Sequence, residues 1–251
     1  MQSLGTIKPV SIAAALFSAS SWYDFAVTKR AKFVTFEGLD GCGKSTQLEK
    51  LAEVLRRSGI DAVTTREPGG TKTGEKVRQI LLDSATSGLA PSAEMALMFA
   101  SRAQHLDQVI LPALEAGRWV LCDRFTDSTE AYQGGGRKLG TAPVLELHRL
   151  LCDNIQPDLT VLMDGDLASS VARARRRNHQ RTSHNLNELD ENRFEQESRA
   201  FFTRVRNAYL AIAERETHRV VLVDSRGTPE QTHAKIVEIV RSRFKLAAKS
   251  A

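Results

Sequence analysis

Gly38-Leu39-Asp40-Gly41-Cys42-Gly43-Lys44-Ser45 is a complete G-x-x-x-x-G-K-[ST] run, a spacing suited to holding phosphate. The glycines let the backbone fold around an anion with its amides turned inward, and a following helix N-terminus adds partial positive charge. Lys44 is placed to reach β- and γ-phosphates, and Ser45 to offer its hydroxyl to magnesium. An accidental glycine-rich turn looks the same when isolated, so the flanking elements must decide. Cys42 reads as a small filler in preference to an activated thiol.

A phosphate-binding loop does not say what the phosphate energy is used for. Asp123-Arg124 supplies a carboxylate to orient magnesium water and a guanidinium to hold phosphate by two parallel hydrogen bonds. Read alone, the pair is an ordinary surface salt bridge. Thr65-Arg66-Glu67-Pro68-Gly69-Gly70-Thr71 is a tight loop that offers another arginine, and read alone it is only a turn. Two such arginines facing one phosphate-binding loop suggest a clamp for a second, phosphorylated substrate. Arg173, Arg175, Arg176, Arg177 and Arg181 crowd five arginines into nine residues, with Arg193 beyond a polar stretch. A solvated face or a nucleic-acid patch is the alternative to a lid that closes over phosphates. Closure would exclude water and bring charge to the transferring phosphoryl group.

The elements that must position these residues follow from hydrophobic periodicity. Phe33 to Phe36, Ala62 to Thr65, Trp119 to Cys122, Leu159 to Met163 and Val220 to Val223 are short apolar runs, each read as a buried strand. Leu48, Leu51, Ala52 and Leu55 recur at helical spacing until Gly59. Further helical patterns span Gly74 to Leu82, Ser92 to Ala116, Val144 to Cys152, Leu167 to Arg177, Arg193 to Glu214 and Pro229 to Phe244. Apolar strands alternating with helices predict a parallel α/β sheet covered on both faces. Ligands on such sheets sit beyond the carboxyl ends of the strands, where Asp40, Arg66, Asp123 and Arg124 all fall.

A chain of 251 residues, 41% hydrophobic and 26% charged, is long enough for one sizeable domain. Its formal charge of +5 suits either nucleic acid or small phosphorylated substrates. Three widely spaced cysteines argue against a disulfide framework or a zinc site and fit a reducing cytoplasm. Val10 to Phe17 is apolar behind Lys8, a weak signal-peptide pattern, but no segment is long and apolar enough to span a membrane. Residues 1–30 are read as a poorly ordered or dispensable extension, with translation from Val27 as an option. The domain proper is placed at 31–247.

GLDGCGKST, TREPGGT, MFASRAQH, DRFTDSTEAYQGGGR, RARRR and NRFEQE occur in the order found in bacterial thymidylate kinases, and the resemblance covers about residues 32 to 245. It implies a three-layer fold like that of P-loop NTP hydrolases, with a five-stranded parallel sheet, helices on both faces and a mobile Arg-rich lid at about 173–193. It also implies a homodimer converting dTMP and ATP to dTDP and ADP with Mg2+. On this resemblance ATP lies along Gly38, Leu39, Asp40, Gly41, Cys42, Gly43, Lys44, Ser45 and Thr46, with Arg173 near adenine and Ser45 and Asp123 at the metal. Asp40 bonds the acceptor's 3′-hydroxyl, Arg66 and Arg124 hold its phosphate, and Arg102 reads a thymine carbonyl with Thr129 on the base edge. Tyr132 packs where a ribose 2′-hydroxyl would collide, and Gln133 closes that side. Lys44 and Arg124 compensate charge in the reaction, with Arg175, Arg177 or Arg193 as the lid contribution. The family's thymine-stacking aromatic falls at Met98 here; Phe99, one residue later, is the candidate to stack in its place, with packing in the core the other reading of either side chain. Asn178 to Asn192 lengthens the lid. Two alternatives remain: a kinase for another monophosphate such as dUMP, and an ATPase binding nucleic acid through its arginines.

Overall fold

The computed structural model describes residues 31–86, 88–184, 193–194 and 196–246, with the side chains of 85 and 177–184 outside that set. The expected extension 1–30 and most of the expected lid, including the Arg177 side chain, lie outside the described residues. Five strands form one parallel sheet: β1 (Phe33–Glu37), β2 (Ala62–Arg66), β3 (Trp119–Asp123), β4 (Leu159–Asp164) and β5 (Val220–Asp224), in the order β2-β3-β1-β4-β5. Every strand runs one residue beyond the apolar run that predicts it. The added residues, Glu37, Arg66, Asp123, Asp164 and Asp224, set a charged rim along the carboxyl edge.

Helices cover both faces because alternate strand residues point opposite ways. Val34, Phe36, Leu121 and Val161 pack against α1 (Lys44–Arg57) and α9 (Pro229–Phe244), using Leu48, Leu51, Leu55, Ile236 and Val240. Phe33, Val120 and Cys122 face α3 (Pro91–His105), with Phe99 and Met95, and α6 (Thr141–Cys152), with Val144 and Cys152. The helical pattern read from Ser92 to Ala116 is realised as α3, a π-helical turn Leu106–Ile110 and α4 (Leu111–Glu115). α2 (Lys72–Leu82) starts from a Thr71 cap on the Gly74 amide. α8 (Arg199–Arg215) begins later than its pattern suggests, where Ser198 caps the Phe201 amide. α7 (Leu167–His184) continues through the arginine cluster, so Arg173 to Arg176 are helical.

The sequence reading has no helix at 126–136, because three consecutive glycines look like a loop. The structure has α5 (Thr126–Thr129) running directly into a π-helical segment, Glu130–Gly136. Gly135 and Gly136 bring this segment against α8: a Cβ on either would lie 2.6 Å from Ala208 Cβ or the Phe201 ring. Tertiary contact here overrides low helix propensity.

A buried polar string ties the sheet to α5. Arg219 donates to both oxygens of Asp127 at 2.7 and 2.8 Å and to Thr160 Oγ1 at 3.1 Å. Thr160 in turn meets Thr35 Oγ1 at 2.8 Å. The Arg219 and Asp127 side chains are 5% and 6% exposed. Removing one partner of such a pair strands the other charge, so Arg219→Ala should destabilise the fold by about 3–5 kcal/mol, read as a lowered urea midpoint.

Candidate functional site

β1 ends at Glu37, and the loop that follows turns back over the sheet through Gly38, Gly41 and Gly43, all at positive φ. A Cβ on Gly41 would lie 2.1 Å from the Ser170 carbonyl oxygen, so the close approach of α7 requires glycine there. Gly43 leads into α1, whose N-terminus has no side-chain cap and no acidic residue in its first turn. Its first amides therefore face the loop's concavity as anion donors. Lys44 Nζ donates to the Gly38 and Leu39 carbonyls at 3.1 and 2.9 Å, curling beneath the loop. The Leu39 side chain is buried in the core, while Ser45 and Thr46 are exposed on the cavity wall. Burial pushes the Cys42 thiol up, against the pull of Lys44, which leaves it a packing residue.

Ser45 Oγ donates to Asp123 Oδ2 at 2.6 Å, joining the loop to the end of β3. Both line a cavity of about 720 Å³ whose wall also carries Arg66, Arg78, Arg102, Arg124 and Arg173. Arg124 follows β3 with a left-handed φ of 74°, a conformation costly for a non-glycine residue. Its guanidinium donates to Asp40 Oδ1 at 2.8 Å, Ser128 Oγ at 2.9 Å and Tyr209 OH at 3.1 Å. It also lies 5.0 Å from the centre of the Tyr132 ring, whose hydroxyl donates to Asp40 Oδ2 at 2.9 Å. Burial alone would raise the Asp40 carboxyl, but Arg124 and Lys44 hold it well below the usual carboxylate range. Arg66 is more loosely held: 55% exposed, it pairs with Glu75 at 3.0 Å.

Arg102 is fully buried beside the cavity. Nε donates to Glu67 at 2.7 Å and Nη2 to Thr129 Oγ1 at 2.9 Å, while buried Nη1 has no hydrogen-bond partner among the described residues. Glu67 also meets His105 Nδ1 at 3.0 Å. Burial favours the neutral acid, but Arg102 and His105 outweigh it and keep the Glu67 carboxyl below its ordinary range. Glu67, His105 and Cys122 bring potential ligand atoms within 4.8 Å of one another. Their polar atoms are already committed, however: His105 to Thr65 and Glu67, and Cys122 to the Arg124 carbonyl. The trio buttresses Arg102 and offers no metal site.

Three expectations change. Phe99 does not face the cavity: it is fully buried in the core with the Arg102 guanidinium 4.8 Å from its ring centre, because it lies one position round the helix from Met98. Met98 and Phe194 line the cavity instead. Gln133 is buried behind the wall, donating to Glu94 at 2.7 Å. Arg193 is likewise buried, donating to Glu94 at 2.6 Å and to the Leu81 carbonyl at 2.6 Å. Glu94 also binds Arg137, so a fully buried carboxylate gathers two cations. Arg173 donates to the Gly41 carbonyl at 2.8 Å, on the cavity side of α7. Arg175 is exposed and donates to the Glu197 carbonyl at 3.4 Å.

The sequence reading overlooks Glu37, Arg78, Ser128, Phe194, Tyr209 and the segment after β5. Ser225, Gly227, Pro229 and Thr232 close the far end of the cavity with Gln47. Gln47 Nε2 donates to the Pro229 carbonyl, leaving buried Gln47 Oε1 and Ser225 Oγ without hydrogen-bond partners among the described residues. Glu37 accepts from the Phe125 amide at 2.7 Å and lies within hydrogen-bond distance of Ser128 Oγ, 2.5 Å, and Tyr209 OH, 2.9 Å. Its signal in sequence was a carboxylate ending an apolar strand directly before the glycine loop.

Comparison with known proteins agrees with this geometry. The thymidylate kinase family model matches residues 36–236. The chain is 46% identical to a thymidylate kinase from Trichlorobacter lovleyi over 84% of its own length and 98% of that protein. It is 48% identical to one from Desulfovibrio desulfuricans over 79% and 89% of the two chains. A crystal structure of thymidylate kinase from Ehrlichia chaffeensis superposes with a TM-score of 0.66 at 31% identity, over 84% of this chain and 99% of that one.

Gly41→Ala adds both a backbone clash and a left-handed alanine. It should weaken ATP binding by about tenfold or more, measured by titration calorimetry on a variant whose thermal melt confirms folding.

Proposed function

The chain belongs to the thymidylate kinase family, and we infer that it holds the γ-phosphate of ATP and the phosphate of dTMP face to face in the cavity described above. It is an ATP-dependent nucleoside monophosphate kinase that phosphorylates dTMP to dTDP, a step toward dTTP. The observation that carries the residue assignments is that the Lys44 loop and Arg66, Arg78, Arg102 and Arg124 line one cavity.

In this reading the α1 amides and Lys44 take the β- and γ-phosphates, which requires Lys44 to exchange its carbonyl partners for phosphate oxygens. Arg124, already aimed by four neighbours, holds the acceptor phosphate, and Arg66 leaves Glu75 to join it. The spare Nη1–H of Arg102 meets a carbonyl of thymine, since a donor buried without a partner favours a ligand that supplies an acceptor. Gln47 Oε1 and Ser225 Oγ play the matching part for the base of ATP. Asp40 accepts from the 3′-hydroxyl, and Tyr132 beside it crowds the sugar's 2′ position. Ser45 and Asp123 present oxygen donors, as a hard cation requires, and together they would hold Mg2+, which would supply positive charge to offset that of the phosphates. No general base is needed, because the attacking phosphate oxygen is largely ionised above its second pKa of about 6. Catalysis is alignment and charge compensation.

We also propose a homodimer in the cytoplasm. Leu150 and Leu151 are exposed next to each other on α6, apolar surface that a second copy would cover. Cys42, Cys122 and Cys152 are free and buried, and among the described residues no helix is long and apolar enough to cross a membrane.

The deciding experiment is ADP release with ATP and magnesium, offering dTMP, dUMP, UMP, AMP and single-stranded DNA separately. Turnover should be strong with dTMP, weaker with dUMP by the about 1–3 kcal/mol that one methyl group contributes, and slight with UMP. Turnover needing no monophosphate and rising with DNA would transfer the arginine cluster to a polymer-binding surface. Lys44→Ala should lower kcat by about 10²–10³-fold with little change in melting temperature, and near-wild-type turnover would remove Lys44 from the mechanism.

A further inference from the structure

Glu37 and Tyr209 stand behind the cavity wall, yet both bear on the side chain that holds the acceptor phosphate in the reading above. Glu37 Oε2, Ser128 Oγ and Tyr209 OH form a buried triangle with sides of 2.5, 2.8 and 2.9 Å. The two hydroxyl corners also accept from Nη1 of Arg124, at 2.9 and 3.1 Å. Nη1 carries two protons, so it can serve both. Each side of the triangle is hydrogen-bond length and needs one proton. Ser128 and Tyr209 bring two, and the third must come from the Glu37 carboxyl. A neutral Glu37 closes the ring, whereas an ionised one leaves one pair of oxygens facing each other with no proton between them.

We propose that Glu37 and Tyr209 are positioning residues for Arg124: the closed ring aims the guanidinium at the acceptor phosphate, and loss of the Glu37 proton draws it back. The second effect is electrostatic. An ionised Glu37 behind Arg124 competes with the phosphate in front for the same positive charge, at a depth where water screens little.

The charges facing Glu37 come from every element packed on it. Arg124 lies in the turn after β3, Asp127 on α5, Arg219 at the entry to β5, and Cys122 on β3; Tyr209 comes from α8. Asp127 is paired with Arg219, and Arg124 with Asp40. Burial, then Asp127, push the Glu37 carboxyl up to about 7, against Arg124 and the bonds from Ser128 and Phe125. For a raised carboxyl the protonated state is full at low pH and is lost as pH climbs through about 7. The acceptor phosphate runs the other way, gaining its second charge above about 6. Binding of dTMP therefore has an acid limb set by the substrate and an alkaline limb set by Glu37.

This inference rests on the acceptor reading of Arg124, and kinetics of the full chain separate the two. With ATP saturating and pH varied from about 6 to about 9, KM for dTMP should rise several-fold on the alkaline side while KM for ATP does not follow. Glu37→Gln keeps an N–H for the ring and cannot ionise, so it should flatten that alkaline rise. Tyr209→Phe removes one acceptor of Arg124 and should raise KM for dTMP about tenfold, leaving KM for ATP within about twofold. An alkaline rise that persists in Glu37→Gln, or a wild-type KM for dTMP in Tyr209→Phe, overturns the proposal. Should Glu37→Gln fail to fold, Tyr209→Phe decides alone. Arg124→Ala with an unchanged KM for dTMP would instead overturn the acceptor site itself.

Discussion

A guanidinium that keeps only 14% of its surface in contact with solvent has given up most of its hydration, and must find equivalent partners in the protein. Arg124 finds them on three separate pieces of chain: Asp40 from the loop after β1, Ser128 and Tyr132 from α5 and the π-helical segment that continues it, and Tyr209 from α8. Its own amide is fixed to the Phe36 carbonyl in the left-handed turn that ends β3. Those three pieces cannot satisfy one cation unless β1 and β3 are neighbours and α8 lies close over the sheet edge. One buried charge thus holds the walls of the cavity in register.

The same logic recurs elsewhere in the domain and divides its arginines into two groups. Glu67 fixes Arg102, Glu94 fixes Arg137 and Arg193, and Asp127 fixes Arg219, each through a carboxylate with almost no exposure. An arginine in such a pair is strongly held, because breaking it leaves a buried charge uncompensated. Arg66 and Arg173 differ: both sit at the cavity, Arg66 on a half-exposed carboxylate and Arg173 on a backbone carbonyl. Changing partners is cheap for them. The static arginines brace the fold around the cavity, while the exchangeable ones are free to change partners at its wall.

Apolar runs and glycine spacing made the sheet and the phosphate-binding loop legible, since each strand is buried on both faces and the loop's geometry admits few other residues. Strand ends were less so. A lone charge after an apolar run looks like the beginning of a loop, yet Glu37 and Asp123 continue the ladder and carry site geometry. Helical period placed Arg102 and Phe99 on α3 but could not set the rotation of the helix, so the stacking position went to Phe99 where the structure turns Met98 to the cavity. Gln133 and Arg193 have the composition of substrate-binding residues. Only the fold reveals Glu94 behind them, because a buried carboxylate in a helix has no local signature. The helix through Gly134, Gly135 and Gly136 was invisible for a related reason, its stability coming from α8, far away in sequence.

That glycine-lined contact has a consequence for how the enzyme can be altered. α8 approaches the π-helical segment to where Gly135 would meet Ala208 and Gly136 would meet Phe201, and Arg204 is hydrogen-bonded to the Gly136 carbonyl. Tyr209 follows Ala208 directly, so the thickness of this seam fixes how far its hydroxyl reaches toward Arg124. A methyl group gained or lost in the seam would tilt α8 and retune the clamp while every residue on the cavity wall stayed the same. With Arg124 holding the acceptor phosphate as proposed, drift in substrate affinity among variants of this chain would then arise from an interface outside the cavity wall, a dial for affinity set apart from the cavity's own residues.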